Sequence, residues 1–311
     1  MLDVRRLRVL REVAAHGSFS AAAEALHVTQ SAVSQHVAAL ERETASLLVR
    51  RNTRGVQLTE AGEALLRHTH VIIARLAHAE AELEAIAGVR GGRLRLATFP
   101  TAGASIVPRA IMRFRDAHPD VEVTLTPAAP LEGEAMLRSG DVDIALLVDA
   151  DQRRSIDDGL DRVQLVTDPM YVCLPSGHPK AGKGRLRLDD LRDDAWLVGS
   201  AGSCPDHAII HTACGAAGFR PRIVFQSDDY SSMQGFVAAG MGIALVPDLA
   251  LLGVRDDVVI RAISPRPPQR HIVAGTLAGG HRSRAVAAML DMLVAIGREF
   301  EGDRRTLALA S

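Results

Sequence analysis

The chain has 311 residues, 47% hydrophobic and 23% charged, which excludes wholesale disorder and leaves room for two or three domains. Its formal net charge of -1 names no partner, and its three cysteines (Cys173, Cys204, Cys214) are too few for a disulfide framework. The charge is unevenly spread: residues 1–58 carry eight Arg against five acidic residues, so a basic head precedes an acidic body.

The opening Met1-Leu2-Asp3-Val4-Arg5-Arg6 is charged where a signal peptide needs its apolar core, and the apolar runs are short of a membrane span. A cytoplasmic protein with no membrane partner is expected. Leu2, Leu7, Leu10 and Val13 recur at helical spacing until His16-Gly17 stops them. A short, Ala-rich helix follows from Ser18 or Phe19 to Leu26. Thr29 then caps a third helix over Gln30 to about Arg42, with Val33, Val37 and Leu40 as its buried stripe. Gln30, Ser31, Ser34, Gln35 and Ala38 fall on the opposite side. Gln bonds adenine bidentately, Ser is permissive, and helix N-terminal N–H groups favour phosphate, so this face suits a DNA major groove. Leu47–Arg51 and Val56–Leu58 flank Asn52-Thr53-Arg54-Gly55 as a strand–turn–strand, whose Arg51 and Arg54 would meet the DNA backbone. Any small helical domain with a hairpin fits these features; the Arg-tipped hairpin favours a winged helix-turn-helix.

Phe19-Ser20-Ala21-Ala22-Ala23-Glu24-Ala25-Leu26, Thr29-Gln30-Ser31-Ala32-Val33-Ser34, Leu40-Glu41 and Thr53-Arg54-Gly55-Val56-Gln57-Leu58-Thr59-Glu60-Ala61-Gly62 together resemble the amino-terminal signature of LysR-type transcriptional regulators. The resemblance implies a winged helix-turn-helix over 1–58 whose DNA-facing set is Ser20, Thr29, Gln30, Ser31, Ser34, Gln35, Arg51 and Arg54. One departure is visible: Ala45 and Leu47-Leu48 stand where the family usually has Gly and Leu-Phe.

From Thr59, the series Ala61, Leu65, His68, Ile72, Leu76, Ala79, Leu83 and Ile86 approximates a heptad seam that Gly88 and Gly91-Gly92 end. Such a helix packs on its own domain or on a partner. The resemblance implies the partner: a linker helix over 59–90 that pairs two chains through 59–88, with tetramers common in the family. Dimerisation would set two recognition helices on a promoter pseudo-palindrome of double-stranded DNA.

The body alternates strand and helix: Leu94–Ala97, a helix over 101–116, Val121–Leu125, a helix over 131–139, Ile144–Val148. A second set runs from Gln164–Val166 through Tyr171–Leu174, Trp196–Val198, a helix over 205–217, Ile223–Phe225, a helix over 230–239 and Ile243–Val246. Val258–Ile260 and His271–Leu277 then lead to a last helix over 282–300. The expected fold is α/β with the amino-terminal winged helix-turn-helix and a two-lobed effector domain over 91–301, which resembles periplasmic solute-binding proteins. Lobe 1 takes 91–163 and 269–301, lobe 2 takes 164–268, and 302–311 form a flexible tail.

The family resemblance implies that the cleft between such lobes receives a small-molecule effector, in keeping with ligands lying beyond the strand ends of open α/β sheets. Thr98, Pro100, Thr101 and Ala102 open one helix toward it, and Ser200, Ser203 and Cys204 precede another that starts at Pro205. Opposed helix N-termini favour an anion, by a few tenths to about 2 kcal/mol per end, so a carboxylate-bearing metabolite is expected. Asp228 or Asp229 caps the next helix or meets a ligand amine, and Pro247 ends a strand at the cleft wall. Cys204, His207, His211 and Cys214 fall within an arc of about 80° at helical pitch, which raises thiol-redox or metal sensing as the alternative effector step. They span about 15 Å, too far for one ion to hold all four, so no metal site is assigned. No cofactor and no catalytic residue is expected. The chain has no Gly-x-Ser-x-Gly, complete phosphate-loop (Gly-x-x-x-x-Gly-Lys-Ser/Thr) or His-Glu-x-x-His motif, and Gly240-Met241-Gly242 follows a helix, the reverse of dinucleotide-binding order.

Overall fold

The structure is a computed structural model that describes residues 1–52, 55–86, 92–149, 159–201, 205–278 and 282–310. Side chains are described for these except at 51, 77, 78, 81, 82, 84–86 and 304–310. The chain divides into two compact units, residues 1–89 with 138–141 and residues 90–137 with 142–311.

In the first unit, α1 (Val4–His16), α2 (Phe19–Ala25) and α3 (Gln30–Thr44) begin where short polar side chains satisfy orphan N–H groups. The Asp3 carboxylate accepts from Arg5 N, Ser18 Oγ from Ala21 N and Thr29 Oγ1 from Ala32 N. Val9, Val13, Phe19, Ala22, Val33 and Val37 close one apolar cluster, while Leu7, Leu10, Leu40 and Leu48 close a second. The wing is the antiparallel pair β1 (Val49–Asn52) and β2 (Gly55–Leu58), with Arg50 opposite Gln57. Glu41 Oε1 accepts from Leu48 N (2.9 Å) and Val49 N (3.3 Å), tying the end of α3 to the start of the wing.

Ala45 ends α3 in the left-handed conformation, with φ 48°. This is the position where the family usually has Gly, and the backbone keeps the glycine geometry although a Cβ is present. Leu48, at the family's aromatic position, is buried within the second cluster.

The long helix α4 (Glu60–Ile86) starts where Thr59 Oγ1 donates to Leu47 O and accepts from Gly62 N. A Cβ on Gly62 would lie 2.1 Å from Leu48 O, so only glycine permits this approach. The expected seam divides. Leu65 and Ile72 pack against the Leu7–Leu10 cluster of their own unit, whereas Leu76, Ala79 and Leu83 are exposed.

In the second unit, strand periodicity explains the unbroken apolar runs, because both sheet faces are covered. Its elements begin with β3 (Arg93–Thr98), α5 (Pro100–Ala117), β4 (Glu122–Pro127), α6 (Pro130–Ser139) and β5 (Ile144–Asp149). Ile144, Leu146 and Val148 of β5 face the core of Phe114, Ile106, Met289 and Leu293. Ala145 and Leu147 face Ala128 and Leu137 instead. The chain continues through β6 (Leu160–Pro175), β7 (Arg185–Leu186), β8 (Ala195–Val198), α7 (Pro205–Ala216), β9 (Arg222–Gln226), α8 (Tyr230–Ala238) and β10 (Ile243–Pro247). Trp196 and Val198 point into one lobe-2 core and Leu197 into the other. It closes with β11 (Val258–Ile263), β12 (Gln269–Leu277) and α9 (Arg284–Ala310).

The sheet order is β4-β3-β5-β12-β6-β10-β8-β9. β6 is one continuous strand, where the sequence suggests two. Up to Pro169 it pairs with β12 in lobe 1, and from Met170 it pairs with β10 in lobe 2. The first crossing therefore falls between Pro169 and Met170, just past the 164–168 where the sequence suggests it. The last helix also runs to Ala310, where the sequence suggests an end near Phe300 and a tail after 302.

Candidate functional site

The amino-terminal face is built by the start of α3. Thr29, Gln30, Ser31 and Gln35 are exposed there and Ser34 is half-buried, while Val33, Val37 and Leu40 anchor the opposite side. Ser20 is exposed on α2. Thr29 serves the helix as its cap, and its hydroxyl lies 3.4 Å from Ser31 Oγ. On the wing, Arg51 belongs to β1 but its side chain, like the whole of Arg54, lies outside the described residues. Arg50, which the sequence reading passed over, is exposed on the same strand.

In the second unit a cavity of about 320 Å³ opens between the lobes. Lobe 1 supplies Phe99, Pro100, Thr101, Glu132, Val148 and the run Pro127–Pro130; lobe 2 supplies Asp206, Asp228 and Tyr230. Arg270, from the returning strand β12, forms part of the wall although only 2% of it is exposed.

Arg270 is the hub of a buried ionic cluster. Its register partner across the crossing strands is Asp168 on β6, which places both side chains on one face. Arg270 Nε donates to Asp168 Oδ2 (2.8 Å), Nη1 to Asp206 Oδ2 (2.9 Å) and Nη2 to Thr101 Oγ1 (2.8 Å). The guanidinium carbon lies 5.5 Å from the Phe99 ring centroid and 6.0 Å from that of Tyr230. Tyr230 OH donates to the same Asp206 Oδ2, and Leu249 N donates to Asp168 Oδ1 (3.1 Å). Burial alone would lower the Arg270 guanidinium, but Asp206 and Asp168 raise it above its ordinary value and hold it charged. Burial raises the Asp168 carboxyl, against the opposing pull of Arg270. One guanidinium thus joins both lobes and both crossing strands.

Of the residues expected at the cleft, Pro100, Thr101 and Asp228 line the cavity. α5 starts without a side-chain cap, with Pro100 in its first turn, so its N-terminal end faces this space. Thr98 is buried with its hydroxyl on Phe99 O, Ala102 is packed in the lobe-1 core, and Pro247 is buried where β10 pairs with Met170. Ser200 N donates to Asp228 Oδ1 (2.7 Å). Asp229 takes the capping role, accepting from Ser231 N and Ser232 N, and the Ser232 hydroxyl helps hold its carboxyl below the usual range. Ser203 and Cys204 lie outside the described residues.

The sequence reading missed Asp206, Tyr230 and Arg270. No local signal marked Arg270, which stands between Gln269 and His271 ahead of the apolar run Ile272–Gly275.

The cysteine–histidine face of α7 is differently disposed. His207 and His211 lie with ring centroids 4.4 Å apart, and burial, then His207 and Arg220, lowers the His211 imidazole. No third metal-ligating residue joins them among the described residues. Burial pushes the Cys214 and Cys173 thiols up to about 12, so neither carries an appreciable thiolate at neutral pH.

Residues 4–63 match the family model for the bacterial regulatory helix-turn-helix protein of the lysR family, and residues 87–297 match the LysR substrate binding domain. The chain belongs to the LysR family of transcriptional regulators. A probable HTH-type transcriptional regulator, LrrA of Synechococcus elongatus, is 30% identical over 94% of this chain and 96% of its own length. Full-length OxyR from Pseudomonas aeruginosa shares the fold with a TM-score of 0.70 at 22% identity, covering 94% of this chain and 95% of the other. Full-length CbnR, described as complexed with its target DNA, does so with a TM-score of 0.63 at 22% identity, over 95% and 100%. This LysR-type regulator is therefore a DNA-binding transcriptional regulator with an effector-binding domain, not an enzyme. No helix among the described residues is long and apolar enough to cross a membrane.

Proposed function

We propose that this LysR-type regulator binds promoter pseudo-palindromes as a cytoplasmic homo-oligomer, and that a small carboxylate-bearing metabolite in the inter-lobe cavity changes that binding. Gln30, Ser31, Ser34 and Gln35 read bases, while Ser20, Thr29, Arg51 and Arg54 position the backbone. Support for the reading face comes from its exposure beside a buried anchor stripe. The exposed Leu76, Ala79 and Leu83 on α4 support chain pairing through that helix, and the family resemblance supports tetramers.

The single observation that carries the effector step is a cavity lined by both lobes and joined through Arg270. The end of α5 at Pro100-Thr101-Ala102 offers orphan N–H groups to the carboxylate, with Asp228 and Tyr230 on the facing wall. Ser200, whose N–H donates to Asp228, adjoins that wall. A ligand shifts the lobes only if it binds the two arrangements with different affinity. The test is a footprint on DNA beside the protein's own gene, with and without pooled small carboxylates and amino acids. The expected result is a protected pseudo-palindrome whose length or bend changes with one pool. Protection without sequence preference or salt dependence would overturn the DNA reading.

A further inference from the structure

The cavity wall has an acceptor that no described residue serves. Asp206 is 1% exposed; its Oδ2 accepts from both Arg270 Nη1 and the Tyr230 hydroxyl, yet Oδ1 accepts no hydrogen bond among the described residues. A buried carboxylate oxygen without a donor is unfavourable, and Asp206 lines the space that a ligand would enter.

Charge points the same way. Arg270 is the cluster's cation, and it already donates to Asp168, Asp206 and Thr101. One guanidinium faces two buried carboxylates, and Asp228 adds a third on the same wall. A purely anionic ligand would enter against that excess, beside charges that are themselves buried. The start of α7 cannot relieve it, because Asp206 itself occupies the first turn and meets the positive end of that helix. The start of α5 has no acid in its first turn and no side-chain cap. The two helix starts are therefore unequal: one is left for a carboxylate and the other presents one.

We propose that the effector is an amino-acid-like zwitterion, its protonated amine donating to Asp206 Oδ1 while its carboxylate meets the start of α5. This rests on the cavity being the effector site. The ammonium supplies the missing donor and offsets the excess negative charge of the Asp168–Arg270–Asp206 cluster. Pro127, Ala128, Ala129, Pro130 and Val148 offer an apolar wall, and the cavity volume suits a short aliphatic or aromatic body.

The test titrates the full-length protein calorimetrically with the standard amino acids and with same-skeleton acids that lack the amine, such as leucine against 4-methylpentanoate and phenylalanine against 3-phenylpropanoate. At least one amino acid should bind about tenfold or more tighter than its deaminated partner, the loss expected when a buried charge goes unpaired. Asp206→Asn should erase that preference, whereas Asp229→Asn, at the α8 cap, should keep it. The wild-type comparison stands even where Asp206→Asn does not fold. Deaminated acids that bind equally well and still alter the footprint would overturn the amine and leave the cavity reading intact. Equal binding of amino acid and hydroxy acid would make a neutral donor sufficient and overturn the charge requirement. Binding by no member of either series would overturn the proposal, and an unaltered footprint with all pools would take the cavity reading with it.

Discussion

The two units of this regulator build their surfaces in opposite ways. In the amino-terminal unit, the candidate DNA face comes from consecutive residues at one helix start, Thr29 to Gln35, and its cap and anchor lie in the same stretch. In the effector unit, the cavity cluster joins Thr101, Asp168, Asp206, Tyr230 and Arg270, which come from two lobes and both crossing strands. The first surface depends on helix periodicity and capping, which act over a few residues. The second depends on strand register and lobe placement, which no local pattern encodes. Local changes should therefore alter the first unit by backbone geometry, and the second by stranding buried charge.

The largest expected effect is Arg270→Met, which leaves Asp168 and Asp206 buried without their cation and should cost about 3–5 kcal/mol in urea unfolding. A loss under about 1 kcal/mol would mean the acids find other compensation, and would weaken the contrast between the units. Next is Gly62→Ala, where the added Cβ meets Leu48 O; about 1–3 kcal/mol should be lost, read as earlier melting of the amino-terminal helices. Ala45→Gly should act in the reverse direction. Relief of a left-handed non-glycine residue is worth up to about 1 kcal/mol, so the melting temperature should rise. An unchanged or lower melting temperature would show that the entropy of glycine in the unfolded chain outweighs that relief.

The smallest effect concerns pH. His211 has its folded-state value lowered, chiefly by burial, so the unfolded chain binds the proton more readily. Its contribution is fully present above the ordinary histidine value near 6.5 and is lost as pH falls from there through the lowered value. Stability of the wild type should decline across that window more steeply than that of His211→Gln. Identical slopes would show that the ring gains its proton without penalty in the folded protein.

Much of this was legible in the chain itself, and the particular residues say why. Thr29, Ser18 and Asp3 act as caps because their short oxygens reach an N–H two or three residues on, an interaction confined to one turn. Apolar runs such as Ile144–Val148 read as strands of an alternating α/β sheet, and the structure adds that both faces of this strand are covered. Asp228 and Asp229 were equivalent in sequence and diverge in space, because only Asp229 sits one residue before the α8 start. The heptad-like series on α4 read as one seam, but Leu65 and Ile72 turn inward while Leu76 and Leu83 do not.

Sequence alone therefore determined the family, the alternation of elements, the exposed polar face of α3 and the cleft-forming plan of two lobes. Those properties repeat over short intervals or match a motif residue by residue. Tertiary structure decided that Arg270 stands opposite Asp168, and that Asp206 and Thr101 reach the same guanidinium from separate lobes. Such a cluster exists only once the two crossing strands are in register, because a buried charge is tolerated only where its counter-charges are brought to meet it.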